Sequence, residues 1–237
     1  MTRDPAPSAA TASGRPDAHL DALLALDPRL SAVWTWVQGQ MRPDAAHDSA
    51  HLARVARWTL RCAPDGPPAL AVAAALTHDV VNLPKNHPQR AQASELSAQA
   101  VRATLPTLGF TPADAHEVAL AVRDHSYSRG ARPETPLGAA LQDADRLDAL
   151  GALGVLRVAG VGGQLGRAML HPADPWAQDR EADDLAFTVD HFFTKLLRLD
   201  GTFHTPAGQA EASRRTRTMR AFLTELASEL DVDPPGE

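Results

Sequence analysis

Residues 71–84 read AVAAALTHDVVNLP: six apolar residues lead into Thr77, His78 and Asp79 before Pro84 closes the run. An Ala-rich segment that is apolar on every side reads as a helix buried among others, because no face of it is suited to water. A His-Asp pair at the end of such a helix is costly. A charge there must be paired or must bind a cation.

Working outward, apolar residues recur at intervals of three and four, Ala and Leu are abundant and β-branched residues are sparse, so the whole chain reads as all-α. The periodicity predicts helices over His19–Gln40 with a break near Pro28, Ala45–Cys62, Pro68–Val80, Gln89–Leu105, Pro112–His125, Thr135–Val161, Ala177–Leu199 and Ala207–Leu230. Pro67-Pro68, Thr111-Pro112 and Thr205-Pro206 put proline at helix starts, where its missing N–H costs least. No fixed-period repeat and no Gly/Ser linker interrupts the middle, so residues 18–230 are read as one helical bundle domain. Residues 1–17, rich in Pro, Ala, Ser and Thr, and residues 231–237, with Pro-Pro-Gly, lack the large apolar groups that offset ordering entropy and are expected to be disordered tails. The stretch LGALGVLRVAGVGGQLGRA at 150–168 carries six glycines; it predicts either close helix packing or an unwound loop at 160–166.

The chain has 237 residues, 44% of them hydrophobic, with 23 Lys and Arg against 29 Asp and Glu and a net charge of -6. That sign disfavours nucleic acid as the main partner and an anionic membrane surface. No apolar run is long enough to span a bilayer, the single cysteine, Cys62, excludes an internal disulfide, and no apolar leader is visible, so a cytoplasmic protein is expected.

Two further stretches match the chemistry of His78 and Asp79. In HDSAHLARVARW (47–58), His51 lies at the edge of a stripe of Leu52, Val55 and Ala56; in LQDADRLDALGALG (141–154), Asp143, Asp145 and Asp148 interrupt an apolar helix. Three acids in six helical residues need solvent or a cation, and separate helices of a bundle can aim imidazole and carboxylate groups at one internal point. His47 and Asp48 form a second His-Asp pair in a first helical turn, where Asp favours the free N–H groups and the helix dipole; Asp48 is also a candidate acceptor for a ligand imidazole.

The ordered set HxxRV (from His51), HDVVNLPK (78–85) and QDADRLDA (142–149) resembles the HD-domain phosphohydrolase superfamily, its short bacterial members in particular. The resemblance runs from about Asp44 to Leu226, with weaker matches in HPADPW (171–176) and DHFFTKLLRL (190–199). It implies that His51, His78, Asp79 and Asp145 hold a divalent metal, with Asp143 as the alternative fourth ligand. A turn of about 100° per residue separates positions 143 and 145 by about 200°, so one of the two is a ligand and the other is not. Two His and two carboxylates suit Mn²⁺, Mg²⁺, Ni²⁺, Co²⁺, Fe²⁺ or Zn²⁺, and the resemblance favours manganese. Asp79 is expected to bind the metal and to accept a hydrogen bond from attacking water, and Lys85 to act on the substrate.

A phosphate needs cations close to the metal, and Lys85, Arg90 and Arg54 are the nearest in sequence. Arg54 shares a helix face with His51, which suits either the substrate or a salt bridge to an acid of the 143–148 stretch. His125, ending a helix in AVRDHSYSRG (121–130), is a candidate substrate contact or ligand of a second metal. SRRTRTMR (213–220) reads as a solvated helix face. The expected activity is hydrolysis of a nucleotide or related small phosphate ester by metal-activated water, as a nucleoside triphosphate pyrophosphohydrolase or a nucleotidase. A phosphodiesterase on a cyclic or oligonucleotide, and a non-enzymatic metal- or nucleotide-binding helical module, are the alternatives. The oligomeric state is not legible.

Overall fold

In the computed structural model, residues 18–40, 49–83, 89–126 and 129–236 are described. Among them the helices run α1 (Ala18–Leu24), α2 (Arg29–Gln40), α3 (Ser49–Cys62), α4 (Pro68–Thr77), α5 (Ala93–Thr104), α6 (Pro112–Asp124), α7 (Pro136–Leu147), α8 (Gly151–Gln164), α9 (Asp190–Thr194) and α10 (Pro206–Leu230). The described residues form no β-sheet; one isolated bridge joins Ala168 and Phe187. None of the described helices is long and apolar enough to cross a membrane.

Helix α4 lies at the centre, with every residue from Leu70 to Thr77 buried. Helices α2, α3, α6 and α7 pack around it, giving one core of Leu30, Val33, Val55, Leu76, Val118, Val122 and Leu141. A second apolar cluster, with Leu147, Leu150, Trp176, Phe192, Leu199, Met219 and Leu223, lies between α10 and the chain that follows α7. Trp58 of α3 packs against both clusters. The helix starts follow local chemistry: Thr111 and Asp114 form a capping box on α6, while Thr135 and Thr205 accept from Gly138 N and Gly208 N to cap α7 and α10.

Two sequence-based expectations are corrected. The helix foreseen over Thr135–Val161 is two helices, because the chain breaks after Leu147 and turns at Gly151, whose φ of 76° suits glycine. The helix foreseen over Ala177–Leu199 is mostly irregular, leaving the short α9 and a single 3₁₀ turn at Leu196–Leu199. Side chains there bind the backbone in place of helical partners: Asp174 accepts from Gln178 N and Asp179 N, and buried Asp190 accepts from Asp183 N and from both terminal nitrogens of Arg180. Beyond α10, Asp233 O accepts a hydrogen bond from Trp176 Nε1 at 2.7 Å.

The glycine-rich stretch stays helical through Gln164. Its closest packing is at Gly162, where an added Cβ would lie 2.2 Å from Thr188 Oγ1. An added Cβ at Gly160 or Gly163 would meet nothing within 4 Å.

Candidate metal centre

Helix α4 ends at Thr77, so His78 and Asp79 leave the buried helix in its closing turn. Val80 N donates to Thr77 O and Val81 N to the buried Ser97 Oγ of α5, which fixes that turn. His78 Nδ1 donates to Ala75 O at 2.8 Å, leaving Nε2 as a lone-pair acceptor. Burial pushes the His78 pKa down to about 4 against the pull of Asp79, so the imidazole is neutral at neutral pH, as a metal ligand must be.

His51, buried on α3, reaches the same point. Its Nδ1 donates to Asp148 Oδ2 at 2.8 Å, and its Nε2 lies 3.3 Å from His78 Nε2. With both Nδ1 protons committed, two lone pairs face each other, an arrangement that a cation between them makes favourable. Asp79 Oδ2 is 3.6 Å from His78 Nε2. Asp145 Oδ1 is 3.7 Å from His51 Nε2 and 3.8 Å from His78 Nε2. Ligand atoms about 2.1 Å from a shared ion are about 3 to 3.5 Å from one another, so the observed separations need only slight contraction. Two imidazoles and two carboxylates are a fitting donor set for a divalent cation, and one atom each of His51, His78 and Asp79 lies within 4.8 Å of the others.

Asp143 is elsewhere. Fully buried, it accepts from His204 N, Thr205 N and Thr205 Oγ1 and so anchors the start of α10. Asp143, the alternative fourth ligand, is thus engaged at the start of α10, while Asp145, two residues on and about 200° around the helix, is the acid beside the histidines.

Arg54 directs Nε and Nη2 onto Asp148 Oδ1 and Oδ2 at 2.7 and 3.0 Å, a salt bridge to an acid of the 143–148 stretch. Arg90 is exposed and binds Asn82 Oδ1 and Leu83 O, clasping the chain that leaves the site. His125 closes the cluster: its ring meets His78 edge-on at 4.9 Å, Nδ1 donates to Val122 O, and Nε2 lies 3.5 Å from Asp79 Oδ1. Burial lowers the His125 pKa, but Asp79 outweighs it and the net direction is upward. Lys85, His47 and Asp48 lie outside the described residues.

The role of Asp148, and Arg157 altogether, escaped sequence reasoning. Asp148 takes the His51 Nδ1 proton. Burial alone would raise its pKa, yet the bonds from His51 and Arg54 hold the carboxyl well below the usual range. The available signal was its spacing: Asp145 and Asp148 are three apart and share a helix face, as Asp143 and Asp145 do not. Arg157 of α8 also reaches Asp148 Oδ2, at 2.6 Å, and only the break after α7 brings it there.

A family model for the HD domain matches residues 49–150. Protein YpgQ of Bacillus subtilis (strain 168) is 30% identical over 209 residues, covering 85% of this chain and 92% of that protein. The crystal structure of Bacillus subtilis YpgQ in complex with ADP has a TM-score of 0.66 at 28% identity, covering 85% of this chain and 95% of that one. An HD-superfamily hydrolase from Bacillus thuringiensis has a TM-score of 0.64 at 27% identity over 90% of this chain and 99% of that one. The convergence of His51, His78, Asp79 and Asp145 is thus framed by matching sequence and matching fold, and the chain belongs to the HD-domain superfamily as a metal-dependent hydrolase.

Proposed function

We propose that this protein hydrolyses a nucleotide, with His51, His78, Asp79 and Asp145 holding the divalent cation, manganese favoured, and a nucleoside triphosphate or monophosphate as substrate. The observation that carries the reading is the 3.3 Å approach of the two imidazole Nε2 atoms beside two carboxylates. The relative YpgQ, crystallised in complex with ADP, supports a nucleotide over other phosphate esters.

A divalent cation, when bound, supplies Lewis acidity, activating water and drawing charge from the phosphoryl group. The protein's own residues do the rest. Asp79 is partly exposed and presents a carboxylate that accepts a hydrogen bond from the attacking water. His125 lies against the other Asp79 oxygen and keeps that carboxylate turned toward the cluster. Asp148 fixes the His51 ring, and Arg54, Arg90, Lys85 and His125 are the groups proposed to receive the phosphates.

The test is a panel of nucleoside tri-, di- and monophosphates, cyclic nucleotides and dinucleotides given to manganese-loaded protein. Release of pyrophosphate or orthophosphate from a nucleotide is expected. His78→Ala and Asp79→Ala should abolish both the release and the bound metal while the helical circular dichroism persists. Cleavage of only cyclic or dinucleotide substrates would establish the phosphodiesterase reading instead, and metal binding without any turnover the binding-module reading.

A further inference from the structure

Helix α8 reads GALGVLRVAGVGGQ, and its one charged residue is Arg157. The guanidinium is 30% exposed and sends Nη1 to Asp148 Oδ2. That oxygen already accepts from His51 Nδ1 and Arg54 Nη2, while Arg54 Nε serves Oδ1. A carboxylate oxygen offers about two lone-pair directions. Asp148 is therefore satisfied without Arg157, and a third donor on Oδ2 can leave at little cost. Among the described residues this is the one hydrogen bond that Arg157 donates, so Nε and Nη2 remain as donors.

The charges point the same way. Two guanidinium groups flank one carboxylate, an excess of one positive charge two hydrogen bonds from the proposed metal ligand His51. A planar fork of N–H donors suits phosphate oxygens.

Resting on the nucleotide-hydrolase reading, we propose that Arg157 grips the outer phosphates of a polyphosphorylated substrate and so makes the site prefer di- and triphosphates to monophosphates. On binding, Arg157 releases Asp148 Oδ2 and turns its fork to the phosphate chain, while Arg54 and His51 keep Asp148 in place. Arg157 is a specificity-determining residue, separate from the metal ligands.

The experiment uses inorganic triphosphate and orthophosphate as probes, titrated calorimetrically into full-length, manganese-loaded wild type, Arg157→Met and Arg157→Lys. Metal content and melting temperature are measured on each. Arg157→Met should weaken triphosphate binding about tenfold or more, leave orthophosphate binding and metal content unchanged, and be partly restored by Arg157→Lys. Equal triphosphate affinity in wild type and Arg157→Met would overturn the proposal. So would parallel loss of metal, which would make Arg157 a support for Asp148 and His51. Failure of the wild type to hydrolyse any nucleotide would refute the parent reading and leaves the affinity ratio separately measurable.

Discussion

His51 and His78, on helix α3 and at the end of α4, bring their Nε2 atoms to within 3.3 Å, each with its Nδ1 proton already bound, by Asp148 and by the Ala75 carbonyl. A protein that buries two imidazole lone pairs face to face has built a place for a cation. The residues around that place divide into those that take part in it and those that hold the helices, and substitution separates the two.

Asp145→Asn and Asp143→Asn should give opposite results. Asp145 is part-exposed and near both histidines, so its loss should remove metal and turnover with little change in melting temperature. Asp143 is buried under three donors from His204 and Thr205. Its replacement should cost about 2 kcal/mol of stability, a fall of about 4 to 8 °C in melting temperature, with metal retained. Elemental analysis and calorimetry on both variants read the difference. Metal loss in Asp143→Asn at unchanged stability would reverse the assignment.

Asp148→Asn tests how the His51 ring is held. The amide can still accept one bond from His51, but it no longer balances Arg54 and Arg157. Metal affinity or activity should drop about 10- to 100-fold, as for other groups that orient a ligand imidazole. A metal titration at constant pH measures this, and an unchanged affinity would show that Asp148 serves the fold alone.

Glu211 sets a pH dependence of stability away from the site. Its hydrogen bonds to Arg214 and then Arg215 lower its pKa from 4.5 to about 2, and Arg215 also donates to Leu147 O at the end of α7. The folded state favours the ionised form, so this contribution is complete above pH 4.5 and fades as pH falls toward 2. Wild type should exceed Glu211→Gln by about 1 kcal/mol at pH 7, solvent screening limiting the gain, and the gap should close in acid. Denaturant midpoints at about pH 7, 4 and 2.5 check it; a constant gap would contradict the assignment.

Two glycines of α8 should respond in opposite directions. Gly160 faces open space, so Gly160→Ala should stabilise by about 0.4 to 1 kcal/mol through helix propensity and the unfolded state. Gly162 lies against buried Thr188, so Gly162→Ala should cost about 1 to 3 kcal/mol. Thermal melts of the pair decide, and two stabilised variants would disprove the close packing of α8 on Thr188.

Much of this protein is legible in the order of its residues. The apolar run ending in His78 and Asp79 marks a buried central helix because nothing in it is suited to water, and α4 is buried from Leu70 to Thr77. Helical spacing alone shows that Asp143 and Asp145 cannot both face one point.

Tertiary structure decided the rest. It brought Asp145 beside the histidines while Asp143 binds the start of α10, set Asp148 behind His51, and brought Arg157 to the site through a break after α7. It also undid the helix expected over 177–199, where Asp174 and Asp190 bind the backbone. The physical reason is one of range. Burial and periodicity are properties of neighbouring residues and are written in their order, whereas a hydrogen bond between residues 97 apart, as from His51 to Asp148, depends on how helices pack.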